Sequence, residues 1–264
     1  MSDKIRVLVI GVCGKMGQET ARAVFGAQDM EIVGACDVSS AVKSLGEVVT
    51  GIESNVRIND NLPAVIQESK PDVVVDFTSP ATVMPNIRTV LEAGVPVVVG
   101  TTGITQENLA EIKEISVKAG TPAIVAPNFA IGAVLMMKFA AKAAKYMPAV
   151  EIIELHHDKK LDAPSGTSIK TAEMIANNRE CEPTPNPHPS TPAAQGEEHF
   201  GIRIHSVRLP GLVAHQEVIF GGQGQTLTIR HDSIDRTSFM PGVLMAIRKV
   251  RDLTGVVYGL ENLL

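Results

Sequence analysis

The side chains best able to do chemistry lie together in one stretch, EIIELHHDKKLDAPSGT at residues 151–167. A β-forming segment there leads into His156, His157, Lys159 and Lys160. A proline, a serine, a glycine and a threonine follow, in an order that is typical of the first turn of a helix. Imidazole and ammonium groups can exchange protons, and a helix N-terminus binds anions. The stretch therefore predicts a binding site for a substrate that carries carboxylates.

Three other interpretations of this stretch are weaker. Neighbouring residues of a strand point to opposite faces, and Cys13, Cys36 and Cys181 do not have the spacing of zinc ligands, so we expect no metal site. A hydrolase built on Ser165, His156 and Asp162 would need a G-x-S-x-G turn, which the sequence around Ser165 does not have. A solvated loop with incidental histidines does not explain why four cationic groups adjoin a helix start.

A second pattern lies near residue 10. Residues 5–10, IRVLVI, predict a buried parallel strand, and the run GVCGKMG at residues 11–17 follows it directly. A predicted helix and a second apolar strand then lead to Asp37. Glycines at such a turn let the chain bend tightly and let a pyrophosphate approach the helix N-terminus. The spacing is G-x-x-G-x-x-G instead of G-x-G-x-x-G, but the strand, helix and acid around it favour dinucleotide binding over a purely structural turn.

Three more short strands are predicted at residues 72–77, 95–99 and 123–126, alternating with helical segments near residues 80–93 and 105–119. This alternation predicts an α/β fold with a Rossmann-type, doubly wound parallel sheet. Small or polar residues close each strand. Because ligands bind at the carboxyl ends of the strands in such sheets, the loops after these three strands should line the nicotinamide half of a cofactor site.

The following part of the chain predicts a second, α+β domain with a mixed or antiparallel sheet. Its expected helices span residues 131–147 and run from the histidine-rich stretch to about residue 178. Its expected strands are residues 150–157, 202–209, 213–220 and 225–230. Pro210 with Gly211, and the glycine-rich residues 221–224, are hairpin signals.

Two features complete the predicted organisation. Five of the ten residues at 183–192 are proline, which predicts an extended surface loop. A helix from residue 241 to about residue 254 and a short strand at 256–258 are expected to return to the first domain. We therefore predict a dinucleotide-binding domain at residues 1–128, completed by 238–264, and a substrate-binding and oligomerisation domain at residues 129–237.

The composition sets limits on the class of protein. At 264 residues and 44% hydrophobic residues, the chain can bury two cores. The net charge of −5, without a basic run interleaved with aromatic residues, argues against nucleic acid as a partner. Three cysteines without an evident pairing, an amino terminus without the features of a signal peptide, and no apolar run of membrane-spanning length predict a cytoplasmic protein.

Several motifs together resemble one enzyme family. They are GVCGKMG at 11–17, DFT at 76–78, GTTG at 100–103, PNF at 127–129 and ELHHDKKLDAPSGT at 154–167. This combination is similar to that of 4-hydroxy-tetrahydrodipicolinate reductase, also called dihydrodipicolinate reductase, and the resemblance spans nearly the whole chain. It implies a cytoplasmic, homotetrameric, NAD(P)H-dependent oxidoreductase that reduces a cyclic dicarboxylate in diaminopimelate and lysine biosynthesis.

The resemblance also implies roles for individual residues. It makes His156 and Lys160 the catalytic proton-transferring groups, and His157, Gly166 and Thr167 the substrate-binding residues. The implied diphosphate contacts are Gly11, Val12, Cys13, Gly14, Lys15, Met16 and Gly17, and the implied ribose contact is Asp37. The contacts implied near the nicotinamide are Gly100, Thr101, Thr102, Ala126, Pro127, Asn128 and Phe129.

Two alternatives and two details stay open at this point. A regulatory protein that only senses the dinucleotide would share the first domain, and a homoserine or sugar dehydrogenase would share the architecture. Asp37 favours NADH, while Lys15 and Lys43 could pair with a 2′-phosphate, so we expect use of both NADH and NADPH. We also expect the domains to close on binding, with hinges near Phe129 and Ser238.

Overall fold

The computed structural model of the protein describes residues 4–39, 43–180 and 192–264. The chain divides into two compact units, Met1–Phe129 with Phe239–Leu264, and Ala130–Ser238. Cys181 and all but the last residue of the proline-rich loop predicted at 183–192 lie outside the described residues. Within the described ranges, no helix combines the length and the apolar character needed to cross a bilayer.

Strands and helices alternate over the first half of the chain, and most of the strands follow one another later. In chain order the elements are β1 (Ile5–Ile10), α1 (Lys15–Gly26), β2 (Met30–Cys36), α2 (Leu45–Val48), β3 (Ile58–Asn59), α3 (Leu62–Ser69), β4 (Val73–Asp76), α4 (Val83–Glu92), β5 (Val97–Val99), α5 (Gln106–Ala119), β6 (Ala123–Val125), α6 (Ile131–Ala143), β7 (Ala149–His156), α7 (Gly166–Asn178), β8 (Glu197–His199), β9 (Ile202–Arg208), β10 (Ala214–Gly222), β11 (Gln225–Ser233), α8 (Met240–Val250) and β12 (Val256–Tyr258). Short 3₁₀ turns lie at Pro192–Gln195, Arg236–Phe239 and Leu260–Asn262.

The first unit is built on a seven-stranded parallel sheet in the order β12-β6-β5-β4-β1-β2-β3. Helices α1 and α8 pack on one face, and α3, α4 and α5 pack on the other. The central strand β4 reads Val-Val-Val-Asp, and its three valines are fully buried because helices cover both faces. The order reverses at β1, so the ligand crevice of this sheet is expected beyond the carboxyl ends of β1 and β4.

The second unit contains a five-stranded mixed sheet in the order β11-β10-β7-β9-β8. Strand β7 lies at its centre, parallel to β9 and antiparallel to β10. Helices α6 and α7 pack on one face, where Ile152 and Glu154 are fully buried. Ile153 and Leu155 alternate with them and stay partly exposed on the opposite face. The period of two therefore places His156 on the helix-covered side, together with Glu154.

The predicted α/β class and the return of the last strand to the first sheet are confirmed, but one predicted connection is wrong. Pro210 and Gly211 do not form a hairpin, because β9 and β10 do not pair with each other and β7 lies between them. The hairpin at residues 221–224 is confirmed by the pairing of β10 with β11. The elements α2, β3, α3 and β8 were not predicted.

Two predicted helices are shorter in the structure. Helix α6 ends at Ala143, where the backbone N–H groups of Tyr146 and Met147 both donate to the carbonyl of Ala143, at 3.0 Å each, and Pro148 follows. Helix α8 ends at Val250. Helix α5 shows the expected signals at both ends, with Thr105 and Asn108 forming a capping box and Gly120 in the left-handed region at φ 65°.

Candidate active site

The glycine-rich turn joins β1 to α1. Gly11 has φ +79°, and a Cβ there would lie 2.3 Å from the carbonyl oxygen of Phe77. A Cβ on Gly17 would lie 2.0 Å from the carbonyl oxygen of Gly11. Only glycine fits either position. Gly14 caps α1 without a side-chain hydrogen bond, so the first turn presents its backbone N–H groups to an anion.

Asp37 follows β2 and faces the glycine-rich turn. One carboxylate oxygen accepts a hydrogen bond from the Cys13 N–H at 2.8 Å, and the other accepts from the N–H and the hydroxyl of Ser39 at 2.9 and 2.6 Å. Burial works to raise the pKa of Asp37, but these hydrogen bonds hold it below its usual value. Asp37 is therefore an ionised acceptor that also fixes the position of the turn.

A cavity of about 520 Å³ opens beside the turn. It is lined by Gly11, Cys13, Gly14, Asp37 and Val38, and also by residues that follow β4 and that begin α4. A bare helix N-terminus, a close backbone approach and an ionised acid at the end of the second strand are the features that hold a dinucleotide in a doubly wound sheet. The residues present therefore fit a nicotinamide dinucleotide, which would supply a hydride when bound.

A buried carboxylate ties together two of the loops predicted near the nicotinamide. Asp76, at the end of β4, is fully buried and accepts hydrogen bonds from the Thr78 N–H at 3.0 Å, the Thr78 hydroxyl at 2.8 Å and the Thr101 hydroxyl at 2.7 Å. The Asn86 amide donates to its second oxygen at 2.8 Å. Burial raises the pKa of Asp76, and these hydrogen bonds act against that rise. The hydroxyl of Thr101 is thus engaged inside the protein.

The other predicted nicotinamide positions follow β5 and β6 at the same edge of the sheet. Gly100 and Thr102 flank Thr101, and residues 126–129 follow β6 directly. The Phe129 ring is buried and packs on the Phe77 ring, with centroids 5.9 Å apart. These residues therefore lie at the edge of the sheet formed by the carboxyl ends of β5 and β6. Phe129 also contributes to the core.

In the second unit, His156 is held by a carboxylate. Glu154 is fully buried, and its Oε2 lies 2.5 Å from His156 Nδ1. Arg208 donates to both carboxylate oxygens, from Nη1 at 2.8 Å and from Nη2 at 2.7 Å. Burial raises the pKa of Glu154, but the hydrogen bonds from His156 and Arg208 outweigh it and lower that pKa to about 2. An ionised carboxylate only accepts, so His156 Nδ1 carries the proton of this bond.

Lys160 lies in the turn that follows β7. The Lys160 N–H donates to the His157 carbonyl at 3.1 Å, and Lys160 Nζ lies 2.7 Å from both carboxylate oxygens of Asp162. The ammonium group lowers the pKa of Asp162. Arg208 Nη2 also donates to the Asp162 carbonyl oxygen at 2.7 Å. Two hydrogen bonds thus connect the Lys160 turn to the carboxylate that holds His156.

The predicted helix start is present at α7. Ser165 is its N-cap, and the Ser165 hydroxyl accepts from the Ser168 N–H at 3.2 Å. A side chain on Gly166 would meet open space, so the face beside the first turn is accessible. The buried, capping hydroxyl of Ser165 gives no support to a hydrolase. No metal-binding cluster of His, Cys, Asp and Glu occurs among the residues that the structure describes.

Four residues of these networks lay outside the set of predicted site residues, namely Asp76, Glu154, Asp162 and Arg208. The role of Glu154 could have been predicted from the sequence. It lies two residues before His156 in an apolar strand, so both side chains share the covered face, and a buried carboxylate requires partners. Arg208 is 54 residues away from Glu154 in sequence, and only the pairing of β9 with β7 brings them together.

The features that fit a dinucleotide in the first unit, and the acid-held imidazole beside a helix start in the second, indicate a nicotinamide-dependent oxidoreductase. The family profile described as "Dihydrodipicolinate reductase, N-terminus" matches residues 5–129, and "Dihydrodipicolinate reductase, C-terminus" matches residues 132–264. The chain belongs to the dihydrodipicolinate reductase family.

Individual relatives agree over the full length. The 4-hydroxy-tetrahydrodipicolinate reductase of Listeria monocytogenes serotype 4b is 53% identical over 262 residues, which cover 98% of this chain and 100% of the relative. That of Moorella thermoacetica is 51% identical, with coverage of 100% and 99%. A solved structure of dipicolinate-bound dihydrodipicolinate reductase from Paenisporosarcina sp. TG-14 matches with a TM-score of 0.87 at 47% identity, covering 99% of this chain and 100% of that chain. Neither a sensing protein nor a homoserine or sugar dehydrogenase is favoured by these matches.

Proposed function

We propose that the chain reduces 4-hydroxy-tetrahydrodipicolinate to tetrahydrodipicolinate in diaminopimelate and lysine biosynthesis. Hydride comes from the nicotinamide, and the proton comes from His156 or Lys160. The observation that carries the proposal is the arrangement at the end of β7. An imidazole whose Nδ1 is bound to Glu154, an ammonium group held by Asp162 and the N-terminus of α7 are linked there through Glu154 and Arg208, and a cyclic dicarboxylate needs such cations and a nearby acid. A solved relative at 47% identity holds dipicolinate, a planar dicarboxylate.

The proposal is tested by a steady-state assay with freshly generated 4-hydroxy-tetrahydrodipicolinate, following the loss of reduced nicotinamide absorbance. We expect His156→Ala and Lys160→Ala each to lower kcat about 100-fold or more. Affinity for the cofactor should change little, because the altered side chains lie in the second unit. Lys159→Ala is the matched control, since it removes an exposed neighbouring ammonium group and should keep turnover. A wild-type chain that binds the cofactor without oxidising it would instead be a dinucleotide sensor.

Both reduced cofactors are proposed as substrates, with NADH at least as good as NADPH. Asp37 can accept from a ribose hydroxyl and repels a 2′-phosphate. Val38 is 83% exposed and offers no cation, which leaves Lys15 and Lys43 as partners for the phosphate. Val38→Arg should raise kcat/KM for NADPH relative to NADH. A wild-type preference for NADPH above about tenfold, worth about 1.4 kcal/mol, would contradict this assignment.

A homotetramer is proposed, with the face of the five-stranded sheet opposite α6 and α7 as the contact surface. Ile153, Leu155, Val207 and Ile219 stay partly exposed on that face, and apolar residues on a sheet face gain from being covered. Light scattering after gel filtration should give the mass of four chains. Ile219→Lys should lower that mass, whereas Val117→Lys, at an exposed position of α5, should not. A monomeric wild type would rule the proposal out.

The cytoplasmic location also stays part of the proposal. Cys13 and Cys36 are both free thiols, which is the usual state in a reducing compartment.

A further inference from the structure

The carboxylate of Glu154 touches three separate parts of the second unit. It accepts from His156 Nδ1 at 2.5 Å, from both terminal nitrogens of Arg208 at 2.7 and 2.8 Å, and from the Ser165 N–H at 3.2 Å. The Ser206 hydroxyl also donates to it. Ser165 is the residue that begins the helix of the proposed substrate cradle. Both oxygens of the Glu154 carboxylate are therefore fully used in holding neighbouring groups.

Burying a carboxylate is unfavourable unless it is paired, and an apolar residue at this position in the strand would avoid that cost. Strand β7 offers a comparison within the same element. Glu151 pairs with His205 Nε2 at 2.7 Å, but that pair lies on the other face and its side chains are 50% and 29% exposed. Glu154 is fully buried, and it makes its bond to the other ring nitrogen, Nδ1.

We propose that Glu154 is the positioning residue of the proton-transferring machinery, acting on His156 directly and on Lys160 through Arg208 and Asp162. This inference rests on the proposed function. Because Nδ1–H donates to Glu154, the neutral imidazole carries its lone pair on Nε2. Nε2 is therefore the atom that takes a proton from solvent and delivers it to the substrate. The proton leaves Nε2 as the substrate gains hydride, and solvent restores it for the next turnover.

The link to Lys160 uses the backbone. Arg208 Nη2 bridges a carboxylate oxygen of Glu154 and the carbonyl of Asp162, at 2.7 Å each. That contact fixes the turn from which the Asp162 side chain holds Lys160 Nζ. Glu154 thus sets the position of both groups without touching the reacting atoms. A misplacement of about 1 Å in such a site can lower the rate about 100-fold.

The test compares Glu154→Gln and Glu154→Asp with Glu151→Gln as the matched control. Glu154→Gln leaves one acceptor oxygen where donors approach both, so its NH2 group must face either His156 Nδ1–H or the Arg208 and Ser165 donors, and the Nδ1–H tautomer should lose its charged acceptor. We expect kcat to fall about 100-fold, with cofactor affinity and substrate KM each changed less than threefold. Glu154→Asp keeps a carboxylate and should recover part of the turnover. Glu151→Gln should behave as wild type.

A second readout does not depend on turnover. In ¹⁵N NMR spectra of the protein without ligands, wild-type His156 should show a protonated Nδ1 and an unprotonated Nε2 in its neutral form, and Glu154→Gln should not. If wild type shows the Nε2–H tautomer, or if Glu154→Gln keeps kcat within threefold, the proposal fails. If wild type has no turnover but shows the Nδ1–H tautomer, the proposed function fails and the positioning of His156 stands.

The contribution of the arginine bridge is separated by Arg208→Lys. A lysine keeps a positive charge beside Glu154 but cannot donate to the carboxylate and the Asp162 carbonyl with the same fork. The His156 tautomer should be kept, while kcat should fall about tenfold through loss of the Lys160 position. An unchanged kcat would remove Lys160 from the proposal, and a changed tautomer would show that Arg208 acts on His156 instead.

Discussion

Replacing Asp76 by alanine should weaken cofactor binding, although Asp76 lies under the cofactor loops instead of within the cavity. Its carboxylate joins the loop after β4 to the loop after β5 through Thr78 and Thr101, and it also holds the amide of Asn86. In Asp76→Ala the two hydroxyl groups can rotate, and the Thr78 N–H keeps the Thr101 hydroxyl oxygen as an acceptor at 2.7 Å. The Asn86 amide loses its buried partner.

The magnitude follows from counting the groups left without a partner. The one amide left without a partner, that of Asn86, costs about 1–3 kcal/mol, so we expect a loss of about 2 kcal/mol in the unfolding free energy of the first unit. We expect cofactor affinity to fall about tenfold, because the loops are no longer joined. Asp76→Asn should be milder, at about 1 kcal/mol or less, because burial already disfavours the charge of Asp76, as its raised pKa shows. The new amide can still accept from both threonines, and Asn86 can turn its own amide.

Urea unfolding and the fluorescence of bound NADH measure the two effects. Asp72→Ala is the matched control, since Asp72 precedes the same strand at its other end and accepts the Arg6 N–H at 2.9 Å. It should lower stability by about 1 kcal/mol and leave cofactor affinity unchanged. The reasoning is refuted if Asp76→Ala binds NADH as tightly as wild type, or if the asparagine variant is as damaged as the alanine variant.

Three further predictions concern other parts of the two sites. Glu154 has a folded-state pKa lowered from 4.5 to about 2, so its contribution to stability is present above pH 4.5 and is lost as pH falls toward 2. The difference in unfolding free energy between wild type and Glu154→Gln, measured by urea titration, should therefore shrink by about 2 kcal/mol between pH 7 and pH 3. A constant difference would show that the pKa is not lowered. Gly166→Val covers the open first turn of α7 and should raise the KM for the dicarboxylate about tenfold in steady-state assays, with an unchanged KM locating the anion elsewhere. Gly17→Ala would place a methyl group 2.0 Å from the Gly11 carbonyl oxygen, so NADH affinity measured by fluorescence should fall at least tenfold, and retained affinity would show that the turn can shift.

The sequence was most informative where local pattern and fold coincide. The glycine-rich turn, the buried valine strands and the Ser165 cap each depend on a few adjacent residues, so they could be predicted. The pairing of β7 could not be predicted in this way. Pro210 and Gly211 favour a tight turn locally, but in the structure β7 lies between β9 and β10. The position of β7 depends on its packing against α6 and α7, which local sequence does not show.

The candidate site shows the same division. The types and spacing of His156 and Lys160 predicted their chemistry. The carboxylates that hold them, Glu154 and Asp162, lie two residues away in sequence, but the side chain that joins the two comes from a distant segment. Arg208 reaches Glu154 across 54 residues, and Thr101 reaches Asp76 across 25. The valine-rich sequences of β4 and β5 did not indicate that the loops after these two strands would be hydrogen-bonded to each other. Predicting these contacts requires the strand order, which local periodicity does not contain.

The placement of α8 and β12 has a consequence for how the protein is made. Val243, Ala246, Ile247 and Val250 of α8 are fully buried against the first sheet, yet they are synthesised after the whole second unit. While the ribosome is still translating residues 130–238, the nascent first unit lacks both the helix that covers β4, β5 and β6 and its edge strand β12. An apolar sheet face and an open strand edge are then exposed, which makes this stage prone to aggregation and a target for chaperones. The second unit, formed from one continuous segment, can complete its folding before the first.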